Sequence, residues 1–276
     1  MRLSARLLAI TAVVYGGAVA HAETTLERII KAGEITVATE AANEPMEFKR
    51  GGAIVGLAPD LLKEVAKDLG VELKLLDIPF QSILVGLTAG QYDMVGATVA
   101  INPKRAAEYG FTRPFAAQMP VLVTLVGSPE ITDTNGMRDK LIATQLGSGG
   151  EAVARQIGEE LKKSGAGFSD LRLYQSFPDV IFALTSRQVD GAVLSSIAAN
   201  QQMSKFPNKF RIAVELTGPR YLAWVTRSED KDLRKRINAT IDRLKASGEL
   251  AKMQKKWIGA VVDVPSEGYL PKGAVE

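Results

Sequence analysis

Short apolar runs of strand length alternate with amphipathic helical stretches along almost the whole chain. The clearest helix is predicted for residues 59–69, where apolar residues share one face, Pro59 suits the first turn and Gly70 suits the C-terminal stop. Apolar runs at 35–39 and 71–76 flank this helix as candidate strands. Alternation of this kind predicts an α/β fold with largely parallel sheets.

Residues 80–97 and 177–194 read as two copies of one helix-to-strand unit. At an offset of 97 residues, the coinciding pairs are Phe80/Phe177, Leu87/Leu184, Thr88/Thr185, Gln91/Gln188 and Asp93/Asp190. Such a repeat predicts two similar lobes, although common α/β patterning could produce the same matches.

Two segments have the character of passes between the lobes. The first, 110–126, carries Pro114 and Pro120 and enters a β-rich run, and the second, 210–216, ends at a Thr-Gly-Pro sequence. We therefore predict a discontinuous first lobe formed by 23–117 plus 217–276 and a second lobe formed by 118–216.

The N-terminus has the pattern of a cleaved signal peptide. Arg2 and Arg6 precede an apolar run at 7–20, and Ala20-His21-Ala22 has the small-x-small pattern of a signal-peptidase site. The run is shorter than the roughly 20 residues that span a bilayer, and a lipoprotein anchor would need a cysteine, which this chain lacks. We expect residues 1–22 to be removed after Ala22 and the protein to be exported to the periplasm.

The residue types that remain after this cleavage exclude several classes of function. The chain has no cysteine, and its one histidine, His21, leaves with the signal peptide. A chain without these residues cannot form a Ser-His-Asp or Cys-His catalytic site and lacks the commonest zinc ligands. Basic and acidic residues are nearly balanced, so no nucleic-acid partner is expected. We predict no metal and no cofactor.

Several short motifs recur in order and spacing over nearly the whole exported chain. They are Gly56-Leu57-Ala58-Pro59-Asp60-Leu61-Leu62, Gln91-Tyr92-Asp93, Asn102-Pro103-Lys104-Arg105, Phe111-Thr112-Arg113-Pro114-Phe115, Gly248-Glu249-Leu250 and Lys256-Trp257-Ile258-Gly259. Together they resemble the family-3 extracellular solute-binding proteins, which are the receptors of polar amino-acid ABC importers. The resemblance implies the type II periplasmic-binding-protein fold, with two lobes joined by two crossover segments and a ligand in the cleft.

The resemblance implies that Arg105 binds the ligand's α-carboxylate through two parallel donors. A surface arginine at a helix start is the alternative, although the helix dipole disfavours it there. Thr98 and the backbone around Ala100 are expected to line the same anion pocket. Ligands of open α/β sheets bind beyond the carboxyl ends of the strands, which independently points to this cleft.

Residues 147–150 precede a helix predicted to begin at Glu151. Free N–H groups of Ser148, Gly149 and Gly150 could form an anion cradle at its start, or these residues could be an ordinary glycine turn.

Three more residues correspond to the family's side-chain pocket. Phe80 would stack on the ligand or pack in the core, Glu40 would hold a ligand cation or be a capping or solvated group, and Asn43 would line the pocket.

The chain departs from the family pattern at three positions. Ala100 stands where a hydroxyl residue is usual, Gly149 replaces a threonine, and Ser195, expected to face Thr98 across the cleft, replaces the acid that takes the α-ammonium. Because a buried ammonium without a partner is costly, either an acid such as Glu40 or Glu44 substitutes or the ligand is not an ordinary α-amino acid.

The sequence therefore predicts a monomeric binding protein without enzymatic activity, which delivers a carboxylate-bearing ligand to the permease of an ABC importer. One alternative is a periplasmic enzyme resembling cyclohexadienyl dehydratase, with Glu40, Glu44 or Asp60 as the general acid. Another is a ligand sensor that docks onto a membrane receptor.

Overall fold

The computed structural model of the protein describes residues 23–275, so the predicted signal peptide lies outside the described residues. The helices are α1 (Thr25–Ala32), α2 (Leu57–Leu69), α3 (Phe80–Thr88), α4 (Pro103–Ala106), α5 (Gly149–Lys163), α6 (Phe177–Thr185), α7 (Ser196–Lys205), α8 (Lys231–Ala246) and α9 (Glu249–Ile258), with a 3₁₀ turn at Asn135–Met137. The strands are β1 (Glu34–Thr39), β2 (Ala42–Asn43), β3 (Glu47–Arg50), β4 (Ala53–Val55), β5 (Glu72–Asp77), β6 (Met94–Ala100), β7 (Gly110–Phe111), β8 (Ala116–Gln118), β9 (Pro120–Leu125), β10 (Leu141–Gln145), β11 (Asp170–Tyr174), β12 (Gly191–Ser195), β13 (Phe210–Glu215) and β14 (Arg220–Thr226).

Two large sheets organise these elements. The first has the order β5-β1-β6-β14-β7, with β8 also paired to β14, and the second has the order β11-β10-β12-β9-β13. In each sheet three neighbouring strands are parallel, β5-β1-β6 in one and β11-β10-β12 in the other. The predicted α/β class is therefore confirmed. The expectation of largely parallel sheets is wrong, because β9, β13 and β14 pair antiparallel with their neighbours and make both large sheets mixed.

Local sequence signals set several helix ends. Thr24 and Glu27 form a reciprocal capping box at the start of α1, and Gly33 ends that helix in the left-handed conformation. Helix α2 begins at Leu57, two residues before the predicted start. Its preceding residue must be glycine, because Gly56 has φ +138° and a Cβ there would lie 2.2 Å from the carbonyl oxygen of Met46.

The two copies of the predicted repeat adopt the same local structure. Helices α3 and α6 each have nine residues and begin at Phe80 and Phe177. The carboxylate of Asp93 accepts a hydrogen bond from the backbone N–H of Thr36, and that of Asp190 accepts one from Leu141, both at 2.8 Å. Each aspartate therefore ties its unit to the middle of the three parallel strands in its own sheet.

The chain passes twice between the sheets, at the segments the sequence singled out. It leaves the first sheet at the end of β8, enters the second at β9, and returns from β13 to β14. The register pairs Gln118 with Arg220 and Ala117 with Tyr221, so strands of the two passes lie side by side. Apolar clusters cover both faces of each sheet. Every helix within residues 23–275 is too short or too polar to cross a membrane.

Candidate functional site

A cavity of about 660 Å³ lies between the two sheets, at the carboxyl ends of their parallel strands. Its walls include Glu40, which follows β1, and Ala100, which ends β6. The second sheet contributes Gln145 at the end of β10 and Ser195 at the end of β12. Because neighbouring parallel strands end at the same edge of a sheet, the residues that follow them lie close together there. This edge is the usual place for a ligand in such sheets.

The ten residues that the sequence selects as ligand-binding candidates all line this cavity: Glu40, Asn43, Phe80, Thr98, Ala100, Arg105, Ser148, Gly149, Gly150 and Ser195. Glu44 and Asp60 lie elsewhere. Asp60 accepts from Lys256 at 2.7 Å and from the Trp257 indole at 2.8 Å, while Glu44 pairs with Lys205 in a second groove between the sheets. The structure therefore does not support either acid as a ligand or catalytic group in this cavity.

Arg105 is positioned by the short helix α4. Asn102 caps this helix by accepting the backbone N–H of Arg105 at 2.9 Å. The guanidinium donates to the carbonyl of Ala100 at 3.2 Å. It also donates to the carbonyl of Gly147, which lies on the other side of the cavity, at 2.6 Å. Burial lowers its pKa to about 10, so it stays charged at neutral pH. No carboxylate of residues 23–275 pairs with this cation, which can therefore receive a ligand anion.

The glycine-rich segment lies in the first turn of α5, which begins at Gly149 and not, as predicted, at Glu151. Ser148 caps the helix by accepting a hydrogen bond from the N–H of Glu151 at 3.2 Å. The Glu151 carboxylate accepts a hydrogen bond from the N–H of Gly147 at 2.6 Å. The chain thus uses part of the predicted cradle itself. Gly149 and Gly150, as the first two helical residues, have N–H groups without an intrahelical acceptor.

Glu40 connects the two sides of the cavity. The side-chain amide of Gln145 donates to the Glu40 carboxylate at 2.5 Å. Because Glu40 follows β1 of the first sheet and Gln145 ends β10 of the second, this hydrogen bond joins the two sheets. Burial raises the pKa of Glu40 to about 7, and the nearby negative charge of Asp77 adds to this. Glu40 is the buried acid among the lining residues, and a ligand cation could bind it.

Glu47 supports the cavity wall and was not foreseen from the sequence. Its side chain is 1% exposed and accepts from the Asn43 amide at 2.9 Å, from the backbone N–H of Thr98 at 3.1 Å and from the Thr98 hydroxyl. Burial raises its pKa to about 8. Thr98 therefore directs its hydroxyl to Glu47, and Asn43 is oriented by the same carboxyl group.

Ser195 performs a local structural task. Its hydroxyl accepts the N–H of Ala198 at 3.0 Å and caps α7. The side of the cavity formed by Ser195, Pro120 and Gln118 carries no acid. The other lining residues that sequence reasoning missed include Gln81, Gln118, Gln145, Phe177 and Arg220.

A sequence model of the bacterial extracellular solute-binding proteins, family 3, matches residues 35–260. The chain belongs to this family. The membership confirms the resemblance carried by the sequence motifs, and it identifies the chain as a solute-binding protein.

Characterised relatives align over most of their length. The arginine-binding extracellular protein ArtP of Bacillus subtilis is 25% identical over 230 residues, which are 81% of this chain and 86% of the relative. Among solved structures, a mutant of ArgBP from T. maritima superposes with a TM-score of 0.77 at 27% identity, covering 86% of this chain and 100% of that one. These family-3 relatives are binding proteins, and the two-lobed periplasmic-binding-protein fold is thereby confirmed.

One further solved structure bears on the enzymatic alternative. The ancestral amino acid-binding protein AncCDT-1, described as a precursor of cyclohexadienyl dehydratase, superposes with a TM-score of 0.77 at 24% identity, covering 85% of this chain and 100% of that one. This likeness shows a shared fold.

Proposed function

We propose that this family member captures a small polar ligand bearing a carboxylate, an amino acid or a related compound, between its lobes and delivers it to the permease of an ABC importer. The observation that carries this proposal is Arg105, a partly buried guanidinium that lines the cavity and pairs with no carboxylate of residues 23–275. The first lobe comprises 23–117 plus 217–276, and the second comprises 118–216.

The ligand's carboxylate binds the Arg105 guanidinium and the N–H groups of Gly149 and Gly150 at the start of α5. These donors come from opposite sides of the cavity, so one anion bridges both lobes. Thr98 and the backbone of Ala100 complete this end of the cavity.

The remainder of the ligand occupies the space between Phe80 and Glu40. Phe80 stacks on it, Asn43 offers a side-chain amide, and Glu40 pairs with a ligand cation where one is present. Arginine binding by ArtP supports an amino acid or a related compound as the ligand. Ser195 does not supply an ammonium partner, because its hydroxyl cannot neutralise a charge and caps α7.

The mature protein begins at Glu23 after cleavage behind Ala22 and acts in the periplasm as a monomer. Intact-mass measurement of the exported protein checks the cleavage site, and light scattering checks the monomer. A retained leader would contradict the first of these.

A dehydratase is the second candidate, favoured by the raised pKa of Glu40, which lines the cavity. Prephenate and arogenate are the substrates to test by product formation. We expect none, because Glu44 and Asp60 lie outside the cavity, and Glu40, the candidate acid that lines it, is held by the Gln145 amide.

A thermal-shift screen of amino acids, opines, organic acids and amines tests the proposed function. A ligand at 100 times its dissociation constant adds about 2.7 kcal/mol to the free energy of unfolding. Stabilisation by at least one carboxylate compound, and none by its carboxamide analogue, is the expected result. Stabilisation confined to amines without a carboxylate would contradict the proposal.

A further inference from the structure

Arg220 lines the same cavity at the side formed by the two passes between the lobes. It is the first residue of β14, it is partly buried, and its register partner on β8 is Gln118, another lining residue. Pro120, two residues after Gln118, pairs with Ser195. Arg220, Gln118, Pro120 and Ser195 therefore form one continuous wall, which we call the hinge wall.

The hinge wall also borders the Arg105 end of the cavity. Strand β14 pairs with β6, where Leu222 lies opposite Ala100, and the N–H of Ile101 donates to the carbonyl of Tyr221 at 2.9 Å. The chain from β6 into α4 thus runs beside Arg220 before it reaches Arg105. Two guanidinium-bearing residues therefore line neighbouring parts of one cavity.

Arg220 differs in its charge environment from two other partly buried arginines of this chain. Arg113 pairs with Asp242 at 2.8 Å, and Arg227 pairs with Asp230 at 2.9 Å. Within residues 23–275, no acid forms an ion pair with Arg220. A partly desolvated cation that faces a cavity is stabilised when an anion enters.

The acids that line the cavity do not pair with the Arg220 guanidinium. Glu40 is held by Gln145, and Glu108 is exposed two residues beyond the end of α4. The hinge wall itself contributes an amide, a hydroxyl and the Arg220 cation. Its chemistry therefore suits an anionic group and repels an ammonium.

We propose that Arg220 binds a second anionic group of the ligand, so that the cavity takes dicarboxylates held by Arg105 at one group and by Arg220 at the other. This inference rests on the proposed function, because it uses Arg105 as the first anion site. A cavity of about 660 Å³ lies in the size range of pockets that enclose whole small molecules. An amine between the two carboxylates is compatible with Glu40.

Titration calorimetry with two matched series of probes tests the inference. The first series is the straight-chain dicarboxylates from succinate to suberate, and the second is the monocarboxylates of equal chain length. At the best chain length the dicarboxylate should bind wild-type protein at least about tenfold more tightly than its monocarboxylate. Arg220→Gln should remove this preference while changing monocarboxylate affinity by less than about threefold.

Two further variants control for charge and for folding. Arg220→Lys keeps the cation and should keep part of the preference. Arg211→Gln removes another partly buried arginine, which lies on β13 outside the cavity, and it should change neither affinity. The melting temperature of each ligand-free variant shows that it is folded.

Each contrary outcome has a separate meaning. If Arg220→Gln weakens binding of both series equally, Arg220 and Arg105 bind the same carboxylate, and the proposal of a second anion subsite is wrong. If Arg220→Gln changes nothing while Arg105→Gln abolishes binding, the inference fails and the proposed function stands. Absence of binding by every dicarboxylate would also overturn the inference, whereas the proposed function would still be decided by the broader screen of ligands.

Discussion

At the scale of single residues, the site depends on which charges are buried and what they face. Arg105 was identified from the motif around residues 102–105, because the resemblance ties that position to an anion. Glu47 gave no such signal, since burial of an acid depends on partners distant in the sequence, here Thr98. Arg220 was missed for the same reason, because only the pairing of β8 with β14 brings it to the cavity.

Glu47 makes the stability of the protein depend on pH. Its pKa is raised from 4.5 to about 8, so the folded state keeps a proton that the unfolded state has lost over this interval. The stability linked to this group is present below about pH 4.5 and is lost as pH rises towards 8. Each pKa unit corresponds to about 1.4 kcal/mol, so the interval from 4.5 to about 8 corresponds to a loss of about 5 kcal/mol from this group.

The variant Glu47→Gln tests this dependence, because it cannot ionise and can still accept hydrogen bonds from Asn43 and the Thr98 backbone. Chemical denaturation between pH 5 and pH 8 should show a smaller fall in the free energy of unfolding than in the wild type. Glu34→Gln, at a half-exposed carboxylate on β1 that pairs with Lys74, is the control. An equal fall in wild type and Glu47→Gln would show that Glu47 is not the group responsible.

At the scale of secondary-structure elements, much of the fold follows from local pattern. The capping box of α1, the apolar face of α2 and the repeat at 80–97 and 177–194 all correspond to elements in the structure. The sheet β2-β3-β4 was missed, because its strands of two to four residues are too short to show a period. The start of α5 was placed two residues late, because glycines were read as loop although they begin a helical turn.

The start of α5 lies close to Ala100 across the cavity, which allows the closeness of the two lobes to be tested. A Cβ added at Gly149 would lie 3.3 Å from the Cβ of Ala100 on the first sheet. Gly149→Ala should therefore weaken ligand binding by about three- to tenfold, a cost of roughly 1 kcal/mol, because the closed arrangement is crowded. The free energy of unfolding should stay equal or rise, since alanine favours a helix more than glycine does.

The double variant Ala100→Gly/Gly149→Ala provides the matched control, because it restores the space between the two sides. Calorimetry on the four proteins of this cycle should show affinity recovered in the double variant. Additive losses would mean that Gly149 acts through its own backbone and not through contact with Ala100.

At the scale of the whole molecule, residues far apart in the sequence meet across the cleft. Gln145 donates to Glu40, Arg105 donates to the carbonyl of Gly147, and Lys205 pairs with Glu44. Such contacts hold the two sides of the cleft together. We expect a ligand to favour the same arrangement through hinge closure, which is common in proteins that enclose a ligand between two domains. We expect the two passes between the lobes to act as the hinge.

Closure predicts a change of shape on binding. Small-angle scattering should show a smaller radius of gyration with saturating ligand than without it, because ligand shifts the population towards the closed form. The same comparison on Arg105→Ala at equal ligand concentration should show little contraction. An unchanged radius in the saturated wild type would contradict hinge closure.

Titration calorimetry of wild type and Arg105→Ala tests most directly whether this protein holds a carboxylate ligand between its lobes. The ligand is the best carboxylate from the screen, compared with its carboxamide. Losing one partner of a desolvated charge pair costs about 2–5 kcal/mol, so Arg105→Ala should weaken carboxylate binding by at least about thirtyfold and leave the carboxamide equally weak in both proteins. Wild-type affinity for the carboxylate in Arg105→Ala would contradict the account.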